Sequence, residues 1–307
     1  MSLETDLLLD RRRLKRRLVF WRVFSVLALV VAAVVAIRGI GVAPVGAHIT
    51  RVTVSGIITE DRKLAEAIDA MADDSQVKAV ILSIDSPGGS VSGGESLHDA
   101  IARVAANKPV VAVMGGLAAS AGYMIAVPSS RIFARDSTLT GSIGVLMETG
   151  EVSGLLGKLG IDAETIRSGP LKDEPSLTRP LSDEGRKVLQ GLVNNLYEQF
   201  VGMVVTGRHM DPARVHALAD GRPYTGQQAL GLGLVDAIGG EREAKAWLAT
   251  QKGVSAGLPV EDLSTGGLAR WAMRGEFGWI MQGLWKSLVS QSVSLDGPLA
   301  LWQLSDN

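Results

Sequence analysis

Two short apolar runs constrain this chain most. Residues 79–84 (Ala-Val-Ile-Leu-Ser-Ile) and 109–114 (Pro-Val-Val-Ala-Val-Met) are of strand length and carry almost no polar alternation. A strand of that kind is buried on both faces, as parallel strands are when helices cover the sheet on both sides. Each run leads into glycines, Gly88 and Gly89 after the first, Gly115 and Gly116 after the second, and then into a segment of helical periodicity. The alternation predicts an α/β fold with a mostly parallel sheet. Residues 49–55 alternate at period two and predict a further strand, and short strands are expected at 132–134, 163–167 and 234–235, with an extended, glycine-interrupted segment at 138–145. Helices are expected over 61–71, 94–104, 152–159, 182–206, 211–218, 227–230 and 240–250. Ser182 is the expected N-cap of the long one and Gly207 its end. The glycine pair 115–116 is expected to break the third strand, with a helix starting near Ser120.

The 307 residues suffice for one sizeable domain plus appendages, and show no internal repeat. A net charge of −1 gives no footprint for a nucleic-acid partner. The absence of cysteine excludes thiol catalysis, disulfides and thiolate metal sites. Nothing in the chain calls for a metal or a cofactor.

The N-terminus divides sharply. Residues 1–17 are polar and end in a basic cluster from Arg11 to Arg17. Residues 18–37 then carry a single charge, Arg22, close to the basic end. A 20-residue helix rises about 30 Å, one hydrocarbon core, and Arg22 can snorkel to the interface beside Trp21. The expected organisation is a cytoplasmic basic segment (1–17), a transmembrane anchor (18–40), a linker (41–47), an α/β domain outside the cytoplasm (48–250) and a Trp-rich tail (251–307). The positive-inside rule sets the orientation. A cleaved signal peptide or a buried core helix are the plainer readings of the apolar run. Four of the six tryptophans fall in the tail, where residues 268–288 could form an amphipathic helix for subunit packing, membrane-surface contact or docking on its own core.

Ser120 stands at a strand-to-helix turn among Ala118, Ala119, Ala121 and Gly122. Small neighbours let another backbone come close, and a helix N-terminus offers N–H groups to developing negative charge. That is how a fold presents a nucleophile; the same pattern also fits a serine N-cap. At residues 85–89, Pro87 fixes one dihedral while Gly88 and Gly89 let the chain turn and expose amides that can bind an oxyanion. An ordinary tight turn has the same composition. A serine nucleophile needs a base. No histidine lies between Ser120 and His209, and all four histidines (His48, His98, His209, His216) read as surface or packing residues. A carboxylate is an unusual base for serine, so lysine remains, and only a desolvated one acts near neutral pH. Lys172 fits best, in a polar loop (167–175) beside Leu171 and after a Gly169–Pro170 turn. On composition alone it reads as a solvated loop lysine. Ser142, in a glycine-flanked loop, could orient it.

Five blocks occur in order: Ser-Pro-Gly-Gly (86–89), Gly-Gly-Leu-Ala-Ala-Ser-Ala-Gly-Tyr (115–123), Thr-Gly-Ser-Ile-Gly-Val (140–145), Ser-Gly-Pro-Leu-Lys-Asp (168–173) and the segment 221–236. Together, over roughly residues 48–250, they resemble the signal peptide peptidase A (protease IV) family in its short, single-dyad form. The resemblance implies a ClpP/crotonase-like fold and a Ser/Lys dyad. It puts the nucleophile at Ser120, the general base at Lys172, and the serine that hydrogen-bonds the base at Ser142. It puts the oxyanion hole at the backbone N–H of Ser120 and of Gly88 or Gly89. It further implies apolar peptide substrates such as signal-peptide remnants, a homo-oligomeric ring, and a single-pass location in a bacterial-type inner membrane with the catalytic domain periplasmic. It fades after about residue 250, leaving the tail without family support. A crotonase-like acyl-CoA enzyme shares the fold and the paired amides, but the anchor, the Ser and Lys blocks and the lack of a well-placed carboxylate pair speak against it. A non-catalytic membrane scaffold fits poorly with both dyad positions filled.

Overall fold

The structure, a computed structural model, describes residues 17–30 and 46–263. Residues 17–30 are helical (α1) and belong to a unit separate from Val45–Leu263. Within α1 the rings of Phe20, Trp21 and Phe24 pack on one another. The expected span needs residues 31–40, which lie outside the described residues, as does the expected helix at 268–288. Among the described residues no helix is long and apolar enough to cross a membrane.

In the larger unit, β1 (His48–Ser55), β2 (Val77–Ser86) and β3 (Val110–Ala119) form the parallel centre of the sheet. Its order is β6-β5-β3-β2-β1-β8, with β5 (Leu139–Gly141), β6 (Pro223–Thr225) and β8 (Val260–Asp262). β4 (Arg131–Ala134) pairs with the first half of β3 and with β7 (Ala237–Ile238). Among the described residues every named pairing is parallel except β5 with β6.

The unbroken apolar runs are explained by two cores. On β2, Val80, Leu82 and Ile84 face a large core, built with α2 (Arg62–Ala70), α3 (Val91–Asn107), α4 (Ala121–Ala126), α6 (Asp183–Arg208) and α7 (Pro212–Leu218). The alternate residues Ala79 and Ile81 face a smaller core closed by Ala244 and Leu248 of α9 (Glu241–Lys252). Side chains cap the helices where the sequence offers them. Asp61 accepts from Leu64 N–H, Ser90 from Gly93, Ser182 from Gly185, and Thr225 forms a capping box with Gln228 at the start of α8 (Gly226–Leu232).

Four expectations are corrected. First, the glycine pair 115–116 does not break β3; it bulges it. Ile84 pairs with Met114 and Ser86 with Ala118, so Asp85 alone faces three residues of β3. The Asp85 carboxylate fills the gap by accepting the Leu117 N–H at 3.0 Å, and Thr138 Oγ1 donates to the Gly115 carbonyl at 2.7 Å. The bulge lets β3 change partners, from β4 over Val111–Val113 to β5 over Leu117–Ala119. Second, residues 163–167 form no strand. They have no ladder partner among the described residues, and Ile166 stands 96% exposed. Third, α6 runs through Gly207 and ends at His209, which takes the left-handed φ of 51°. Gly207 is needed for close approach instead, since a Cβ there would lie 2.3 Å from Val127 Cγ1 and 2.7 Å from its carbonyl oxygen. Fourth, Leu234 and Val235 are buried but lie in a turn; the short strand β7 comes two residues later. The unit also continues past residue 250, because β8 pairs with β1.

Gly207→Ala should therefore lower stability by about 1–3 kcal/mol through overpacking against Val127. The measurement is the urea midpoint of residues 46–263 within the full chain; an unchanged midpoint would contradict the close packing of α6 on the end of α4.

Candidate active site

Ser120 is the hinge between β3 and the six-residue helix α4. Its backbone sits at φ 54°, ψ −122°, a conformation that costs a residue with a side chain on the order of 1–3 kcal/mol. The surroundings impose it. The Ser120 N–H donates to the Gly141 carbonyl at 2.9 Å, finishing the β3–β5 ladder. Its carbonyl accepts from Tyr123 and Met124 N–H, both at 2.9 Å, starting α4. Every residue of α4 is buried, and the Tyr123 hydroxyl reaches the Leu234 carbonyl at 2.8 Å. Ser120 occupies the N-cap position of α4, but its side chain makes no capping bond, and its Oγ has no hydrogen-bond partner among the described residues.

The glycine turn after β2 closes on the same point. A Cβ on Gly88, which holds φ 108°, would lie 2.8 Å from Ser120 Cβ and 3.1 Å from Ala121 N. One on Gly122 would lie 2.9 Å from the Ser86 carbonyl oxygen. Glycine on both sides is what lets the turn and the start of α4 touch.

The amides near Ser120 divide into two sets. The Ser120 N–H, expected in the oxyanion hole, is spent on Gly141. The Gly88 N–H is spent on Ser86 Oγ at 3.1 Å. Gly89 N–H and Ala121 N–H have no hydrogen-bond partner among the described residues. Ala121 heads a helix, where the first N–H groups have no intrahelical acceptor. Of the three amides expected from sequence, Gly89 alone stays open; Ala121 was missed, because strand pairing at Ser120 cannot be read from residue types.

Ser142 follows Gly141 directly, has φ 47°, and its N–H donates to the Arg222 carbonyl at 3.0 Å. It thus shares a loop with the carbonyl that pins Ser120. Lys172 is exposed, in the turn after Gly169, and among the described residues it makes no side-chain hydrogen bond to Ser120 or Ser142. The turn is clamped by a residue that the sequence does not flag. Arg179 donates from Nε to Asp173 Oδ2 at 3.2 Å and from Nη2 to the Asp173 carbonyl at 2.8 Å, while Nη1 lies 3.7 Å from the buried Glu174 carboxylate. Between residues 146 and 177, Leu146, Leu155, Leu159, Ile161, Ile166 and Leu177 are exposed, and α5 (Ser153–Lys158) buries nothing.

Beneath α4, Arg208 binds Asp236 bidentately at 2.6 and 3.0 Å and also donates to the Gly233 carbonyl. Burial works to lower the Arg208 pKa, but the hydrogen bonds and charge of Asp236 outweigh it and raise it. Burial likewise drives the Tyr123 phenol far above its ordinary value.

Comparison with known proteins bears on this arrangement. The family model for peptidase family S49 matches residues 102–255, which include Ser120, Ser142 and Lys172. The chain belongs to peptidase family S49. The model for Clp protease matches residues 54–140, the segment of β1 to β5 that carries the glycine turn and Ser120, in keeping with the ClpP-like α/β fold. Among the S49 chain's relatives is a candidate protease of Synechocystis sp., 39% identical over 207 residues, 67% of this chain and 75% of the relative. A candidate signal peptide peptidase of Enterococcus faecium is 39% identical over 202 residues, 65% of this chain and 59% of the relative. Protease 4 of Salmonella typhi is 38% identical over 192 residues, 62% of this chain and 31% of that protein. This S49 chain is thus a protease by family, with a ClpP-like α/β fold.

The buried phenol of Tyr123 gives a pH signature. Its pKa is raised in the folded state, so its contribution is whole below the unfolded value of about 10 and is lost as pH rises toward the folded one. The urea midpoint should fall between about pH 10 and 12 in wild type and fall less in Tyr123→Phe; equal slopes would contradict a buried, un-ionised phenol.

Proposed function

We propose that this S49 chain is a membrane-anchored serine endopeptidase with a Ser/Lys dyad, in which Ser120 is the nucleophile and Lys172 the general base. The observation that carries this reading is the uncommitted Ser120 hydroxyl, on a strained hinge beside two unclaimed amides. The Ser120 Oγ attacks the peptide carbonyl while its proton passes to the neutral Lys172 amine. The carbonyl electron pair moves to oxygen, where Gly89 and Ala121 N–H receive it; such donors each contribute about 10²–10³ in rate. Collapse of the tetrahedral intermediate expels the amine, which takes the proton back from Lys172. Water, deprotonated by Lys172, then hydrolyses the acyl-enzyme.

A lysine exposed in one chain cannot be a neutral base near pH 7 until it is desolvated. The exposed apolar side chains between residues 146 and 177 support covering by a further copy of the chain, as in the ring expected from the family. The Ser142 hydroxyl would then orient the amine. The apolar run 18–37 after the basic cluster supports a single anchor with the protease domain outside the cytoplasm. Apolar peptides, signal-peptide remnants among them, are the proposed substrates.

Full-length protein in detergent should hydrolyse an apolar fluorogenic peptide, and Ser120→Ala and Lys172→Ala, assembled like wild type, should lose on the order of 10³-fold or more. The profile of kcat/KM should rise with pH, as general-base catalysis requires, and a profile flat between about pH 5 and 10 contradicts a general base. Near-normal activity in Lys172→Ala would move the base elsewhere.

A further inference from the structure

The turn between β2 and α3 contains a fully buried hydroxyl with no part in the chemistry above. Ser86 ends β2 and is 0% exposed. Its Oγ donates to the Gly56 carbonyl at 2.6 Å and accepts from Gly88 N–H at 3.1 Å. A hydroxyl has one proton to give, so the short bond to Gly56 fixes its direction and leaves a lone pair for Gly88.

The next peptide plane is held from its other side. The Gly88 carbonyl accepts the Ile58 N–H at 2.8 Å, and the Ser90 N–H returns to the Ile58 carbonyl at 2.9 Å. In a trans peptide the carbonyl and the following N–H point opposite ways. With the Gly88 carbonyl turned to Ile58, the Gly89 N–H is turned away from it. Gly88 itself, at φ 108°, is the residue that abuts Ser120.

We infer that Ser86 is a positioning residue of the oxyanion hole: its hydroxyl takes the Gly88 N–H out of the site and thereby aims the Gly89 N–H at the substrate oxygen. This rests on the reading of Ser120 as nucleophile. Without the hydroxyl, the Gly88 amide loses its buried acceptor and the Gly56 carbonyl its donor, and the 88–89 peptide is restrained from the Ile58 side alone. The residue type alone hides this role, because a serine before Pro87 also suits an ordinary turn.

The test compares full-length wild type, Ser86→Ala and Ser86→Cys in kcat, KM and affinity for two matched inhibitors. A peptide aldehyde forms a bond from its carbonyl carbon to Ser120 Oγ; the carbonyl pair becomes an oxyanion in the hole, and the hydroxyl proton goes to Lys172. The corresponding peptide alcohol forms no such bond and needs no oxyanion hole. Ser86→Ala should lower kcat and aldehyde affinity together by about 10–100-fold, with KM and alcohol affinity changed by less than about 3-fold. Ser86→Cys, near in size but a weaker acceptor, should fall between the two. An unchanged aldehyde-to-alcohol ratio in both variants overturns the inference, as does a parallel loss of aldehyde and alcohol affinity, which marks a merely structural turn. Wild type that neither cleaves nor binds the aldehyde removes the Ser120 reading itself; wild type that does both, with variants unchanged, removes only the role of Ser86.

Discussion

The hydrogen bond from Ser120 N–H to the Gly141 carbonyl, 2.9 Å long, is the constraint on which the site depends. It is the last rung of the β3–β5 ladder, and it holds Ser120 at a backbone conformation that a serine would not choose. Thr140 Oγ1 adds a second tie one residue earlier, donating to the Ala118 carbonyl at 2.7 Å. Once that rung is made, the chain has to leave the sheet at Ser120. The buried helix α4 begins there, its first amide has no acceptor, and the hydroxyl is left without a structural task. The strain is supported by the burial of every residue of α4, which packs against Gly94 and Gly88 and whose Tyr123 hydroxyl reaches the Leu234 carbonyl.

The same logic of displaced backbone groups runs through the rest of the site. The bulge at Gly115–Gly116 frees the second half of β3 from β4 and hands it to β5, so it is the bulge that brings Gly141 to Ser120. The turn at residues 86–89 spends one amide internally and leaves the next unspent. Each element sacrifices ordinary pairing at one point, and those points converge around Ser120. Lys172 sits in the turn after Gly169. Its loop is stiffened by Arg179 and Glu174 against the N-terminus of α6, yet it leaves its lysine exposed.

The sheet was legible because burial writes directly into composition. Val80, Leu82 and Ile84 go to one core and Ala79 and Ile81 to the other, so the run had to be apolar throughout. The cap at Ser182 was legible because a side chain and a helix start coincide. Glycines misled in both directions. Gly115 and Gly116 looked like a strand end and are a bulge; Gly207 looked like a helix end and is a contact with Val127. Nothing local separates these cases, since the deciding atoms lie on other elements. Residues 163–167 had the composition of a strand without a neighbour to pair with. The amides were the least legible of all. Whether the N–H of Ser120, Ala121, Gly88 or Gly89 is open depends on partners at residues 141 and 86, and a side-chain alphabet does not record it.

The most direct test of the central claim, that the strained hinge presents Ser120 as the reacting serine, is peptide mapping of the full-length protein after treatment with a serine-directed fluorophosphonate. The expected result is a single adduct on Ser120, abolished near neutral pH by Lys172→Ala in protein of unchanged assembly. An adduct on any other serine with Ser120 unmodified, in protein that still cleaves peptide, would contradict it.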